Sequence, residues 1–245
     1  MEIIGHRGAS YDAPENTLSA INLAWEQGAD AVEVDVHLSR DGRVVVIHDD
    51  DTRKTARVKQ KVYEQDWRDL QKLDVGRWKG SKWAGERIPD LEQVLAAAPS
   101  GKRLFVEVKC GDQFVEAAAK LLTPHTAAAL VIIGFCLETM KQVKQRFPAL
   151  EVCWIVEFKR NLGSARWSPS PAKVIAQTRA AGLDGIDVGV KGPITPAFVQ
   201  QAKEAGLRFY VWTVDSVAKA RKLEEAGVDG IATNRPGWLR EKLAR

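Results

Sequence analysis

The chain has 245 residues, 45% of them hydrophobic, which is enough for one large α/β domain or two small ones. Its net charge of +4 comes without a lysine/arginine block, which argues against nucleic-acid binding and leaves room for a small anionic substrate. The 3 cysteines (Cys110, Cys136 and Cys153) lack CxxC spacing, which argues against a disulfide framework or a cysteine zinc site, and no apolar run approaches the roughly 18 residues of a membrane span.

The opening MEIIGHRGAS has no basic segment followed by a long apolar one, so no secretion leader is expected. With the unpaired cysteines this predicts a cytoplasmic protein without stable membrane insertion. A strand at 2–5 ends in GHRG, placing His6 and Arg7 at its C-terminal end. A helical pattern follows at 16–27, with Asn16 or Thr17 suited to cap it. The strand at 31–37 carries Val32, Val34 and Val36 on one face and Glu33 and Asp35 on the other, their Cα atoms roughly 6–7 Å apart. A turn at Asp41-Gly42 predicts a hairpin into a strand at 43–48, which ends in His48. Residues 49–87 then break the rhythm with charges and three tryptophans, Trp67, Trp78 and Trp83, and read as an insertion on the catalytic rim. Packing for a cap without its own core is the plain role for these tryptophans.

Regular order returns with a helix at 88–98. The strand at 103–109 repeats the earlier arrangement, with Leu104, Val106 and Val108 on one face and Phe105, Glu107 and Lys109 on the other. Strands follow at 129–134, 151–156, 184–188, 207–212 and 228–232, with helical patterns at 113–122, 137–147, 195–205 and 216–226. One junction recurs, in EQGADAVEVD (26–35), AAGLDGIDVG (180–189) and EAGVDGIAT (225–233): a helix end, a glycine C-cap, an aspartate and a strand. Repeated βα units build parallel sheets, and the count predicts a (β/α)₈ TIM-type barrel with a small insertion after strand 2, one domain over 1–245. The rival open sheet usually carries GxGxxG after its first strand, and GHRGAS does not supply it.

In such a barrel the valines pack outward and Glu33, Asp35 and Glu107 converge inside, near the strand ends where barrel active sites lie. Three close carboxylates resist ionising together unless a cation holds them, and all-oxygen ligation points to one hard divalent ion, Mg²⁺ or Ca²⁺. The alternative is a structural network in which they pair with Arg7 and Lys109. His6 and His48, at the same rim, suit general acid–base chemistry. His37 and His125 are weaker candidates. Together with the cations Arg7 and Lys109, the set suggests phosphoryl chemistry on a small molecule, without a Walker loop.

These pieces resemble the glycerophosphodiester phosphodiesterase family, of the bacterial cytoplasmic type. The resemblance is carried by HRG at 6–8, PENT at 14–17, EVDVHLSRDG at 33–42, HD at 48–49, IPDLEQVL at 88–95, VEVK at 106–109, VWTVD at 211–215 and DGIATNRP at 229–236. It implies hydrolysis of glycerophosphodiesters to glycerol 3-phosphate and an alcohol with a divalent cation. By matching motif, His6 and His48 would be the acid–base pair, and Glu33, Asp35 and Glu107 the metal ligands. Arg7 and Lys109 would hold the phosphate, and Trp212 would line the glycerol side. Thr52, Lys54, Ala56, Gly134 and Asn234 depart from the family's usual residues, and none of them is expected to touch the metal or histidine set. Three other readings compete: lysophospholipase D-type hydrolysis of longer lipids, a sugar-phosphate aldolase or isomerase barrel using Lys109, and a phosphoester-binding barrel without turnover.

Overall fold

Side-chain alternation along the strands decides the layers of this molecule. The structure is a computed structural model that describes residues 1–119, 121–122, 129–160 and 166–245. Its strands are β1 (Glu2–His6), β2 (Ala31–Leu38), β3 (Val44–Val46), β4 (Arg103–Val108), β5 (Leu130–Gly134), β6 (Glu151–Val156), β7 (Lys159–Arg160), β8 (Trp167–Ser168), β9 (Gly185–Gly189), β10 (Arg208–Trp212) and β11 (Gly230–Thr233). Parallel pairing runs β1–β2–β4–β5–β6–β9–β10–β11 and closes from β11 back to β1, with Glu2 opposite Gly230 and Gly5 opposite Thr233. This is the expected eight-stranded barrel. β3 lies antiparallel on β2 as the predicted hairpin, turning through Gly42 at φ +79°. The short β7–β8 hairpin on the rim was not anticipated.

The outward faces of β2 and β4 (Val32, Val34, Val36, Leu104, Val106 and Val108) pack with helix residues such as Ile21, Val94 and Phe114 into one apolar layer. Each such side chain contributes roughly 1.5–3 kcal/mol when fully buried. A smaller cluster that includes Ile4, Phe105, Val131, Ile155 and Tyr210 fills the interior. At the opposite end from the site, the Arg103 guanidinium donates to Glu2, Glu151 and the Tyr210 hydroxyl, closing the barrel floor with a satisfied polar network.

The helices begin at side-chain caps. Thr17 caps Leu18–Glu26, and Asp90 forms a capping box with Gln93 at Leu91–Ala97. Two helices, Pro171–Ala180 and Pro236–Leu243, went unread in the sequence; each starts with a proline in its first turn, where the missing N–H costs nothing. The helix expected at 113–122 is described as Gln113–Ala119. His125 lies outside the described residues.

The segment 49–87 contains two single-turn helices and several 3₁₀ turns around a small cluster of Val62, Leu70, Val75 and Ile88 on Val45 and Ile47 of the hairpin strand. It therefore has a modest core of its own, with Trp67 packed against it.

Candidate active site

The corner after β1 sets the first part of the site. Gly8 has φ +81°, and a Cβ there would meet the Ala20 backbone at 2.4 Å, so only glycine lets the strand end press on the first helix. That turn puts Arg7 in the left-handed region, at φ +56°. The Arg7 N–H donates to Glu33 Oε2 at 2.8 Å, holding the strained backbone against the next strand.

Alternation on β2 and β4 then brings the carboxylates together. Glu33, Asp35 and Glu107 are 3%, 0% and 8% exposed, and each offers an oxygen within 4.8 Å of the others. The Arg7 guanidinium lies 3.0 Å from Asp35 Oδ2, and Lys109 Nζ lies 3.1 Å from Asp35 Oδ1 and bonds to Glu107. The structural network weighed from sequence is therefore present, but it is incomplete. Glu33 Oε1 has no hydrogen-bond partner, and Asp35 Oδ1 faces Lys109 outside hydrogen-bonding geometry. Burial would raise the Asp35 carboxyl, yet Arg7 and Lys109 outweigh it and hold Asp35 well below the usual carboxylate range. Burial, and then the charge of Asp35, pushes Glu33 well up and Glu107 up to about 7. Arg7 and Lys109 thus ionise Asp35 fully, while Glu33 and Glu107 stay raised even with Lys109 on Glu107, and a further positive charge would let them ionise.

The PENT segment does more than cap the first helix. Thr17 is the cap. Asn16, at φ +59° and 4% exposed, instead grips Asp35: its Nδ2 donates to Oδ2 at 2.8 Å and its Oδ1 accepts from the Asp35 N–H at 3.2 Å. Glu15 accepts from Arg7 at 3.1 Å and from Lys54 at 2.7 Å.

Two residues counted as harmless departures do reach the site. Lys54 touches it through Glu15. Asn234 contacts His6 directly: Asp215 Oδ2 accepts from Asn234 Nδ2 at 2.6 Å, which leaves Asn234 Oδ1 to accept from His6 Nδ1–H at 2.8 Å. The network assigns the Nδ1–H tautomer and leaves the lone pair on Nε2, 4.0 Å from Glu33 Oε2. Burial and the Arg7 charge push the His6 pKa down to about 4, so the ring is neutral near pH 7. The expectation that Asn234 stands apart from the histidines is therefore corrected.

His48 Nδ1 donates to Asp49 Oδ1 at 2.7 Å. His37 plays a structural part, because its Nε2 donates to the His48 carbonyl at 3.1 Å and steadies the strand end.

His6, Arg7, Glu33, His48, Glu107, Lys109 and Trp212 all line one cavity of about 90 Å³, with Asp35 buried beneath them. All eight residues singled out in the sequence meet here. Phe135 packs edge-on to Trp212 at the mouth, with ring centroids 5.9 Å apart. Trp67, Trp78 and Trp83 do not line this cavity. The cavity also holds Asp187, which the sequence reading missed. The same alternation could have found it: Ile186 and Val188 of GIDVG pack outward, so Asp187 points inward.

Residues 6–238 match the family model of the glycerophosphoryl diester phosphodiesterase family. A glycerophosphodiester phosphodiesterase of Caldanaerobacter subterraneus subsp. tengcongensis is 32% identical over 248 residues, covering 97% of this chain and 95% of that protein. One of Bacillus subtilis is 28% identical over 258 residues, covering 95% of this chain and 83% of that protein. Among solved structures, a phosphodiesterase of Oleispira antarctica in complex with the product sn-glycerol 3-phosphate superposes with a TM-score of 0.88. It is 26% identical, with coverage of 100% of this chain and 97% of that one.

Proposed function

The chain belongs to the glycerophosphoryl diester phosphodiesterase family and hydrolyses glycerophosphodiesters, and we propose that it does so with one divalent cation held by Glu33, Asp35 and Glu107. The carrying observation is the carboxylate trio, buried on one floor with oxygens left unpartnered. Charge counting supports the same reading. With Glu15, Glu33, Asp35 and Glu107 all ionised, as a bound cation would allow, the three positive charges of Arg7, Lys54 and Lys109 fall one short of them. A divalent cation would turn this to one net positive charge, matching the single negative charge of a phosphodiester.

Hard oxygen donors suit Mg²⁺ or Ca²⁺. Such an ion supplies Lewis acidity, polarising a phosphate oxygen and offsetting its transition-state charge. Arg7 and Lys109 flank the same cavity and orient the remaining phosphate oxygens. Neutral His6, with its lone pair on Nε2, is the group to accept the proton of the attacking hydroxyl, whether of water or of the glycerol C2. His48, oriented by Asp49, is the group to protonate the departing alkoxide. Trp212 covers the glycerol end.

The whole chain works as one barrel domain, with 49–87 as its insertion. No helix among the described residues is long and apolar enough to cross a membrane. The free Cys110, Cys136 and Cys153 fit work in a reducing cytoplasm. Product analysis tests the chemistry: glycerophosphocholine should yield glycerol 3-phosphate and choline, and choline phosphate as the product would refute the placement of the two ester arms.

A further inference from the structure

The rim insertion concentrates unpaired positive charge. Residues 49–87 hold 11 of the chain's 36 Lys and Arg, dispersed rather than in one run. Every aspartate of the segment is paired, Asp49 with His48 and the others with Lys or Arg. Arg57, Lys59, Arg68, Lys79, Lys82 and Arg87 meet no carboxylate at ion-pair distance among the described residues, and only Glu64 and Glu86 of the segment's acids lack a cation. Several of these cations join into one patch. The Arg53–Ala56 helix, with Arg57 at its end, packs on the turn Arg77–Lys79, and that turn packs on Ser81–Trp83. Lys79 and Lys82 lie over the Trp78 and Trp83 rings, 5.6 and 4.7 Å from the centroids. Lys79 also donates to the Ser10 carbonyl at 2.7 Å, which brings the next residue, exposed Tyr11, to the patch. Lys54 ties the patch to the site through Glu15 and Arg7. Exposed apolar groups follow the same distribution. Of the large hydrophobic side chains exposed among the described residues, Tyr11, Val58, Tyr63 and Phe135 all stand on rim segments, and Met1 alone does not.

We infer that this rim docks the protein on an anionic lipid surface. Complementarity chooses the partner. Unpaired Lys and Arg are drawn to a negatively charged leaflet, each contributing roughly fivefold to binding. Tyr, Trp and the lysine stems have apolar bodies and polar tips, which suits them to the headgroup layer. Arg57, Val58 and Lys59 are consecutive and all exposed, so basic and apolar groups alternate on one loop. A nucleic acid would use the same charge but leave Val58 without an apolar partner. Glycerophosphodiesters are what remains when a phospholipid loses its acyl chains, so docking holds the cavity near the surface where such deacylation releases its substrate. That consequence alone rests on the phosphodiesterase reading.

The test is co-sedimentation of the full chain with vesicles of phosphatidylcholine, alone or with about 30% phosphatidylserine. The native protein should bind the anionic vesicles roughly tenfold or more tighter, and raising salt from about 0.1 M to about 0.5 M should release most of it. Lys59→Gln combined with Lys82→Gln should weaken anionic-vesicle binding by roughly 20–30-fold. Val58→Ser combined with Tyr63→Ser should weaken it by roughly threefold to tenfold. Both double variants should keep the native melting temperature and native turnover of glycerophosphocholine in free solution, since none of the four residues lines the cavity. Equal binding to the two vesicles, no binding to either, or native affinity in both variants would overturn the inference. Duplex DNA bound more tightly than the anionic vesicles, and untouched by the Val58 and Tyr63 changes, would overturn it in favour of a nucleic-acid face. Vesicle binding is read without turnover, so it stands or falls apart from the phosphodiesterase reading.

Discussion

Replacing Glu107 with glutamine should make the metal-free protein more stable at alkaline pH. In the metal-free fold the Glu107 pKa is pushed from 4.5 up to about 7, by burial first and by Asp35 second. A carboxyl whose folded pKa is raised contributes stability below its unfolded pKa and loses that contribution as pH rises through the folded value. Each pH unit in that window is worth about 1.4 kcal/mol, so ionised Glu107 costs the metal-free fold about 3 kcal/mol by about pH 8. Glutamine removes this cost, and weakening the bond from Lys109 Nζ offsets about 1 kcal/mol of the gain. The net of about 2 kcal/mol corresponds to roughly 4–8 °C in melting temperature for a chain of this size. Thermal unfolding in EDTA from about pH 5 to pH 8 is the assay. His6 acts with the opposite sign, since its pKa falls from 6.5 to about 4 in the fold, but it is present in both proteins and cancels in the difference. The gap between variant and native protein should open as pH rises and close or reverse when cation is added. A gap independent of pH, or a variant less stable than the native protein at about pH 8, would refute the reasoning.

His6→Ala and His48→Ala should each lower kcat by roughly 10²–10⁴-fold with little change in KM, and steady-state kinetics with normal turnover in either would remove that histidine from the chemistry. Asn234→Asp places a carboxylate on His6 Nδ1 and should raise the pKa governing the acid limb of kcat/KM, read from a pH–rate profile. Asn16→Ala removes both hydrogen bonds to Asp35 and should weaken cation affinity by roughly 10–100-fold, measured by calorimetry; unchanged affinity would mean that Asp35 holds its place without Asn16.

The barrel was legible because alternation is local. Val32, Val34 and Val36 on one face, with Glu33 and Asp35 on the other, announce a strand packed outside and charged inside. The repeat in LFVEVK places Glu107 on the same floor. Contacts that join distant segments were not legible. Asn234 lies 228 positions from His6, and only barrel closure through β11 and β1 brings them together. Asn16 has the composition of a helix cap, yet its left-handed backbone turns it toward Asp35 while Thr17 caps. Asp187 followed the same alternation as Glu33, but no second carboxylate shares its face of the strand to draw notice. The helices at Pro171–Ala180 and Pro236–Leu243 were hidden because proline reads as a breaker except in a first turn.

The central claim, that Glu33, Asp35 and Glu107 hold one catalytic cation, is tested most directly by titrating Mg²⁺ or Ca²⁺ into EDTA-stripped protein. Binding heat and glycerol 3-phosphate release from glycerophosphocholine are followed in parallel. The account predicts one equivalent bound, release rising with occupancy, and loss of both in Glu33→Ala and Glu107→Ala. Full release before any cation is added, or undiminished cation binding in both variants, would contradict it.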